Sequence, residues 1–282
     1  MNKKITFAVA ILVVLLSSFA GIKVFSKEKN NNEVNIKEKL KILGNVDKQI
    51  DYFNKNKINR YISYKDKNPK LSNYDIVLRV NIGLDNDFYT NITPSINTDS
   101  ILTLVNKYNY LESTYVPKNL ETINSTYSAS GKKLVNVARI SFEYLSKKAK
   151  DEGFNIRAVS AYRSYDYQSN LYNNYVKKDG VSNADKYSAR AGFSEHQTGL
   201  AVDIDNITSS FNDFEKTKEF LWMMENAYKY GFILRYPKGK EDITGYIYEP
   251  WHYRYVGIEA ATIISKNNIT YEEYYYKYVY KK

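Results

Sequence analysis

Residues 194–206 read SEHQTGLAVDIDN, and the rest of the chain is best interpreted from this stretch. Side chains alternate between the two faces of a β-strand, so LAVDID sends Val202 and Ile204 to one face and Asp203 and Asp205 to the other. The turn before this strand carries His196, one of only two histidines in the chain. We therefore expect an imidazole and a carboxylate to converge at the mouth of a strand.

The segments on either side of this strand have mixed patterns. Helical periodicity is seen roughly over residues 132–152, in DYQSNLYNNYVKK and in DFEKTKEFLWMMENAYKYG, whereas FNIRAVSAYRS, FILRYP and WHYRYVG have the pattern of strands. These elements lack the regular strand–helix–strand order of a parallel sheet. They predict an α+β fold, with a small antiparallel sheet flanked by helices.

Composition restricts the class of protein. The hydrophobic fraction of 43% and the charged fraction of 26% in 282 residues are those of a globular chain with a sizeable core. The absence of cysteine excludes disulfides, thiolate metal ligands, a cysteine nucleophile and a lipid anchor on cysteine. A formal net charge of +10 favours an anionic neighbour, namely a lipid surface or an anionic wall polymer. Because the basic residues are spread along the chain, we expect no nucleic-acid partner.

The first 25 residues have the pattern of an export signal. The basic start MNKK precedes the uncharged run ITFAVAILVVLLSSFAGI, which covers residues 5–22. A run of this length is intermediate between a long signal peptide and a short membrane span. Ser18-Phe19-Ala20 is compatible with cleavage, although we favour an uncleaved anchor over cleavage or a buried core helix. Either export route places the remainder outside the membrane.

The pattern then changes several times along the chain. Residues 26–70 are polar and charge-rich, which is typical of a stalk or linker. YDIVLRVNIGL alternates like a strand, so we expect a small β element within residues 71–100. Residues 101–270 carry the strongest signals and form the expected main domain. The Tyr-rich tail, residues 271–282, is interpreted as a packed terminal helix or, alternatively, as a segment that contacts wall glycan.

Both histidines lie in strand-like segments next to acidic residues. His196 precedes Asp203 by seven positions, and His252 lies in YEPWHYRYVG. Two imidazole nitrogens and one carboxylate oxygen form the ligand set of a catalytic zinc site, which keeps its fourth position open. A structural site needs four protein ligands, and no further histidine or cysteine exists to complete one. The alternative is that both histidines are ordinary buried or surface residues.

A carboxylate three positions before the second histidine adds a catalytic group. In a regular strand Glu249 and His252 would point to opposite faces, but Pro250 cannot donate a ladder hydrogen bond and marks an irregularity or a strand start. This would bring both side chains to one site. A carboxylate beside a zinc site can take a proton from an attacking water and deliver it to a leaving amine.

Three blocks of sequence carry a resemblance to a known family. AYRSYDYQ, SEHQTGLAVD and EPWHYRYVG, in this order, resemble the signature blocks of the VanY-type D-alanyl-D-alanine carboxypeptidases. These enzymes belong to a group of zinc peptidases that includes the lysostaphin-type enzymes and the hedgehog signalling domain. The resemblance covers roughly residues 100–268 and implies the hedgehog/D,D-peptidase-like fold for them.

The resemblance also implies roles for individual residues. It places one zinc ion on His196, Asp203 and His252, and the catalytic base on Glu249. Arg163 and Gln168 correspond to the arginine and glutamine that bind substrate and steady the developing oxyanion. A planar, permanently charged guanidinium is also physically suited to a terminal carboxylate. The remaining implied substrate-binding residues are Ser194, Tyr236 and Trp251.

These observations predict an exported zinc metallopeptidase at the cell wall, tethered to the membrane or secreted. The expected reaction is removal of the C-terminal D-alanine from peptidoglycan stem peptides by a monomeric D,D-carboxypeptidase. One alternative is an L,D-carboxypeptidase that acts on tetrapeptide stems with the same catalytic groups. Another is a non-catalytic wall-binding module with a retained zinc site, although such a module needs neither Glu249 nor Arg163.

Overall fold

A computed structural model of the protein describes residues 34–206 and 211–280. The predicted signal or anchor, residues 1–25, lies outside these ranges. Within them, no helix combines the length and the apolar character that a bilayer span requires. The chain divides into two units, one ending at Val80 and the other beginning at Asn81.

The first unit is helical. Residues 34–42 form α1 and Ile58–Lys67 form α2, with short 3-10 turns between them. Asn73–Ile82 form α3, whose last two residues are assigned to the second unit. Apolar residues from these segments share one small core: Leu43, Val46, Phe53, Ile58, Tyr61, Ile76, Val77 and Val80. The described part of the expected stalk or linker is therefore a folded helical unit.

The expected β element is wrong for YDIVLRVNIGL, because residues 74–82 of this stretch lie in α3. Ser72 begins this helix, because its hydroxyl accepts a hydrogen bond from the Asp75 backbone N–H at 3.1 Å. A serine followed three positions later by an acidic residue is a recognised helix start. Ile76, Val77 and Val80 then lie on the buried face at helical spacing. Most positions from 76 to 82 are apolar, so this segment satisfies the two-residue period of a strand as well as the period of a helix.

The described residues of the second unit form two small sheets and one larger sheet. The parallel pair comprises β1 (Thr93–Pro94) and β2 (Asn109–Tyr110). The antiparallel pair comprises β3 (Leu120–Thr122) and β4 (Lys133–Val135). Since β4 takes the first residues of the expected helix over 132–152, that helix, α4, runs from Asn136 to Asp151.

The larger sheet confirms the prediction of an α+β fold with a small antiparallel sheet. Its four strands are β5 (Arg157–Ser160), β6 (Ala201–Asp205), β7 (Phe232–Leu234) and β8 (His252–Tyr255). They lie in the order β5-β6-β8-β7, and each neighbouring pair is antiparallel. The strand that contains AVDID, β6, is thus a central strand of the sheet.

Helices complete this unit. They are α5 (Tyr165–Asp179), α6 (Val181–Tyr187), α7 (Lys218–Asn226), α8 (Glu241–Thr244), α9 (Ile258–Asn267) and α10 (Tyr271–Tyr274). Val202 and Ile204 of β6 are fully buried in the main core, with Phe142 and Leu145 of α4 and Phe232 of β7. One face of β6 therefore anchors the strand, which leaves Asp203 on the other face.

Residues 271–279 of the Tyr-rich tail are helical and packed, as the first of its two interpretations predicts. Thr270 and Glu273 form a capping box at the start of α10, and Tyr275–Val279 continue as one π-helical turn. Tyr271 and Glu272 are buried within the second unit. This segment is therefore part of the main domain and not an appendage to it.

Candidate metal centre and active site

Two of the predicted metal ligands come from neighbouring strands. Asp203 on β6 and His252 on β8 are register partners, and His252 Nδ1 lies 3.2 Å from Asp203 Oδ1. Side chains that are directly opposite each other on adjacent strands lie on the same face of the sheet. Sheet register alone therefore brings these two residues together.

The third predicted ligand lies on a 3-10 turn, Glu195–Thr198, that leads into β6. Gly199 ends this turn with a left-handed φ of 68°, where an added Cβ would lie 2.8 Å from Leu120 Cδ2. Glycine is thus required by both conformation and space. His196 Nδ1 donates to the Ala161 carbonyl at 2.7 Å, which leaves Nε2 pointing at Asp203 Oδ2, 3.3 Å away.

The three residues fit a metal ion. His196, Asp203 and His252 each offer a ligand atom, and these atoms lie within 4.8 Å of one another. Among buried atoms of the described residues, Asp203 Oδ1 has no hydrogen-bond partner. Two nitrogens and one carboxylate oxygen suit zinc, whose catalytic sites have three protein ligands and one open position.

The ionised carboxylate of Asp203 also favours a cation at this point. Burial alone would raise the pKa of Asp203, but His196, His252 and Arg163 together hold it well below its usual range. Burial lowers the pKa of His196 to about 4, with the Arg163 charge acting in the same direction, so that this ring is neutral at pH 7. A neutral imidazole and an ionised carboxylate are the forms in which these residues bind metals.

Glu249 lies on a tight turn that enters β8. The His252 backbone N–H donates to the Glu249 carbonyl at 3.2 Å, which closes a four-residue turn with Pro250 at its second position. This turn puts Glu249 Oε2 3.5 Å from His252 Nδ1, on the same side as the ligand group. Burial raises the pKa of the Glu249 carboxyl to about 7, a value suited to a group that exchanges protons near neutral pH.

Arg163 reaches the ligand group from the loop after β5. Its Nη2 donates to Asp203 Oδ2 at 2.7 Å and contacts His196 Nε2 at 2.8 Å. Nε donates to Ser160 Oγ at 3.1 Å, next to a bulge in the pairing of β5 with β6. A bulge re-aims the strand end, which is common beside functional sites.

Gln168 lies behind Arg163. The glutamine Oε1 accepts from Arg163 Nη1 at 3.0 Å, and its Nε2 donates to the Ala189 carbonyl at 2.7 Å. The side chain is 1% exposed and is not among the residues that line the cavity at the ligand group. Its contacts suit a residue that orients Arg163, and the direct substrate binding that the family resemblance implies stays a prediction.

The other predicted residues line one cavity of about 460 Å³, together with a group of side chains that were not predicted. Ser194 is a buried lining residue, and Trp251 lines the cavity from the turn that carries Glu249. The ring of Tyr236 packs against His252, with centroids 4.9 Å apart, and against Tyr246 at 4.6 Å. The unpredicted lining residues are mainly aromatic or aliphatic: Tyr167, Leu171, Tyr175, Tyr187, Tyr246 and Ile247.

The sequence interpretation also missed Glu195. It is fully buried directly before His196, and its Oε1 accepts hydrogen bonds from Arg235 and Arg254, each at 2.9 Å. Burial alone would raise the pKa of this carboxyl, but the two guanidinium charges hold it far below the usual range. Its position directly before the predicted ligand His196 was a signal that Glu195 belongs to the site. The sequence around Arg235 and Arg254 does not indicate that these two arginines are buried.

An antiparallel sheet that carries a buried His–Asp–His group, a proton-accepting carboxylate and a cavity defines a metallopeptidase-like hydrolase. Residues 131–258 match the family described as VanY, D-alanyl-D-alanine carboxypeptidase. The carboxypeptidase-like protein YodJ of Bacillus subtilis (strain 168) is 44% identical over 188 residues, which are 64% of this chain and 69% of YodJ. The chain belongs to the VanY family, which confirms the resemblance and the predicted class of enzyme.

Two solved structures show the same fold. The LD-carboxypeptidase LdcB is 42% identical, with a TM-score of 0.63, and the match covers 68% of this chain and 94% of LdcB. A mutant of the vancomycin-resistance D,D-pentapeptidase VanY, in complex with Zn(II), is 37% identical with a TM-score of 0.53. That match covers 61% of this chain and 97% of the other. The predicted D,D-peptidase-like fold is thus confirmed for the main domain.

Proposed function

We propose that this protein is a zinc carboxypeptidase that removes the C-terminal D-alanine from peptidoglycan stem peptides. The observation that carries the proposal is the convergence of His196, Asp203 and His252 beside Glu249 in one cavity. The family and the Zn(II) complex of the VanY D,D-pentapeptidase mutant support the choice of metal and reaction.

The metal would be held by His196 Nε2, His252 Nδ1 and a carboxylate oxygen of Asp203. A bound zinc ion supplies Lewis acidity, which polarises a carbonyl and lowers the pKa of a water molecule. The protein fixes the His196 imidazole through Nδ1, the nitrogen that faces away from the group. The partner of this nitrogen is the Ala161 carbonyl, at 2.7 Å.

Glu249 is the proposed proton carrier. Its pKa of about 7 lets the carboxylate accept a proton from the attacking water and then give it to the departing amine. The carboxyl is only 7% exposed, so it is largely shielded from bulk water. Its neighbour in the turn, Pro250, fixes the backbone that aims it.

Arg163 is the proposed anchor for the charged end of the substrate. It lines the same cavity, and its side chain is 17% exposed, so that it is accessible and yet partly desolvated. A carboxypeptidase must bind a free terminal carboxylate, and a guanidinium can bind one with two parallel hydrogen bonds. The same group would stabilise negative charge that develops on the scissile carbonyl oxygen.

We propose D,D-carboxypeptidase activity, on stems that end in two D-alanines, as the main reaction. A second candidate is L,D-carboxypeptidase activity, which cuts D-alanine from tetrapeptide stems. The similarity to LdcB favours this second candidate, since that match covers 94% of an LD-carboxypeptidase. Both reactions need the same catalytic groups and differ in the cavity wall that contacts the penultimate residue.

The substrate implies a location outside the cytoplasmic membrane, at the cell wall. The N-terminal pattern of a basic start followed by an apolar run supports export, with either an anchor or a cleaved signal. We propose that the enzyme acts as a monomer on stem peptides. A non-catalytic wall-binding module is disfavoured because Glu249 and Arg163 line the cavity, where binding alone would not require them.

Mass spectrometry of muropeptides distinguishes these activities. The zinc-loaded protein is incubated with purified muropeptides that carry pentapeptide or tetrapeptide stems, with the Glu249→Gln variant as the inactive control. Loss of one alanine from pentapeptides alone indicates D,D activity, and loss from tetrapeptides indicates L,D activity. If neither stem is shortened by the zinc-loaded protein, the proposed function is wrong.

A further inference from the structure

Four buried charged residues lie behind His252, and the proposed reaction uses none of them. They are two carboxylates and two guanidinium groups, each at most 1% exposed: Glu195, Glu272, Arg235 and Arg254. Buried ion pairs are often no more stabilising than apolar residues of similar volume. What these charges contact is therefore more informative than the stability that they add.

Glu195 connects this group to the metal site. Its Oε1 accepts from Arg235 Nε and Arg254 Nη1, but its Oε2 has no hydrogen-bond partner among the described residues. His252 Nε2 has none either, and these two atoms lie 3.8 Å apart. Each is thus the other's available partner, and an approach of about 1 Å would bring them to hydrogen-bond distance.

Glu272, in the Tyr-rich terminal segment, holds the other side of Arg235. Its two oxygens accept from Arg235 Nη1 at 2.9 Å and Nη2 at 2.6 Å, a bidentate pair that fixes the guanidinium plane. The Arg235 backbone N–H also donates to the His252 carbonyl at 3.1 Å. Arg235 therefore contacts the ligand residue and the terminal segment at the same time.

We propose that Glu272 is a positioning residue of the metal site, acting through Arg235 and Glu195 on the Nε2–H of His252. The Glu195 carboxylate fixes the His252 ring with Nδ1 towards the metal, and Glu272 holds the arginine that aims this carboxylate. A carboxylate behind a ligating histidine sets its tautomer and increases its basicity. This inference rests on the proposed zinc site, and it makes the terminal segment a functional part of that site.

The two histidines allow a direct measurement on the unmodified protein. We expect nitrogen-15 NMR of the zinc-loaded full chain, labelled at histidine, to show two rings with opposite tautomers. His196 should carry its proton on Nδ1, which donates to the Ala161 carbonyl, and His252 should carry its proton on Nε2. A His252 ring protonated on Nδ1 overturns the inference, because Glu195 would then have no proton to accept.

Zinc affinity then tests the connection to the terminal segment. Full-length Glu195→Gln, Glu272→Gln and the double variant are titrated with zinc against a chromophoric chelator. Loss of an outer-shell partner typically weakens metal binding about 10–100-fold, and we expect this range for Glu195→Gln. Glu272→Gln should weaken binding in the same direction, and the double variant should bind no more weakly than Glu195→Gln, because the two residues act in series.

Glu273→Gln is the matched control. Glu273 is the next residue, and it caps α10 through the Thr270 backbone N–H at 2.7 Å without contacting the buried group. Wild-type zinc affinity in Glu272→Gln, or an equal loss in Glu273→Gln, overturns the inference and leaves the proposed function standing. If Glu272→Gln does not fold, the tautomer of His252 in the unmodified protein decides. A wild-type protein that binds no zinc refutes the proposed function itself.

Discussion

Asp203 and His252 face each other as register partners on two adjacent antiparallel strands, with His252 Nδ1 3.2 Å from Asp203 Oδ1. Their separation is therefore set by the sheet, and both strands are buried in the middle of it. Ligands on regular elements are held more firmly than ligands on loops. Only His196 comes from a turn, and the Ala161 carbonyl fixes its ring.

This arrangement predicts which substitutions release the metal. His196→Ala, His252→Ala and Asp203→Asn should each lose stoichiometric zinc, since removing one of three ligands costs more than the roughly 10–100-fold of an outer-shell loss. Metal analysis of the purified variants measures this. Asp205→Asn is the matched control, on the same strand but outside the ligand group, and should retain zinc. Full zinc content in the three ligand variants would show that the metal is bound elsewhere.

The site was more predictable from the sequence than the fold around it. Strand alternation and the scarcity of histidine singled out His196, Asp203 and His252, because alternation fixes the face of the strand on which each side chain lies. Pro250 correctly indicated the irregularity that brings Glu249 to the same side. The assignment of α3 as a strand failed because an apolar run satisfies both periods, and the Ser72 cap was the deciding signal.

Other features depend on partners that are distant in sequence. Glu195 is buried only because Arg235 and Arg254 neutralise it, and they follow it by 40 and 59 positions. Gln168 is likewise held by a distant partner, because its Nε2 donates to the Ala189 carbonyl, 21 positions away. Such pairings are products of tertiary packing, so no local pattern predicts them.

A second prediction separates catalysis from metal binding. Glu249→Gln keeps the size of the side chain but cannot accept a proton, so turnover should fall by the roughly 10²–10⁴-fold that general acid–base catalysis contributes. Zinc content should be unchanged, because Glu249 is not in the ligand group. Release of D-alanine from a stem peptide measures turnover. Near-normal turnover in the zinc-loaded variant would assign the proton transfer to another group.

A third prediction concerns pH and stability. Lys107 is 3% exposed, its Nζ lies 4.2 Å from the centroid of the Tyr246 ring, and burial lowers its pKa to about 8. The unfolded chain keeps the lysine protonated to about pH 10.4. Between these two values the unfolded state binds the extra proton, so the free energy of unfolding should rise with pH.

The expected contribution of Lys107 is roughly 2 kcal/mol between about pH 7.5 and about pH 9.5. Urea unfolding of the zinc-loaded protein at both pH values measures it. The Lys107→Met variant should not show this rise in the free energy of unfolding. It should also be more stable than the wild type at the lower pH, because folding then buries no charged group at this position. Lys118→Met, at a side chain that is 78% exposed, is the control and should keep the rise. An equal rise in wild type and Lys107→Met would show that Lys107 keeps its ordinary pKa when folded.

The last prediction tests how the substrate is held. Arg163 is fixed by three groups at once, with Ser160 on Nε, Gln168 on Nη1 and the metal-ligand candidates on Nη2. Lysine keeps the charge but not the planar fork, so Arg163→Lys should be a poor enzyme. If the guanidinium stabilises the oxyanion, turnover falls about 10²–10³-fold. If it binds the terminal carboxylate of the ground state, the loss appears mainly as a higher KM.

The substrate can be changed in parallel with the enzyme. Amidation of the substrate's C-terminus should impair the wild type strongly and add little further loss in Arg163→Ala, because both changes remove the same ion pair. Arg139→Lys is the control, since Arg139 pairs with Glu121 of β3 and with Glu143 of its own helix and does not line the cavity. It should respond to amidation as the wild type does. A wild type that cuts amidated or internally extended peptides as fast as free ones would be an endopeptidase, because its cavity would then not select for a terminal charge.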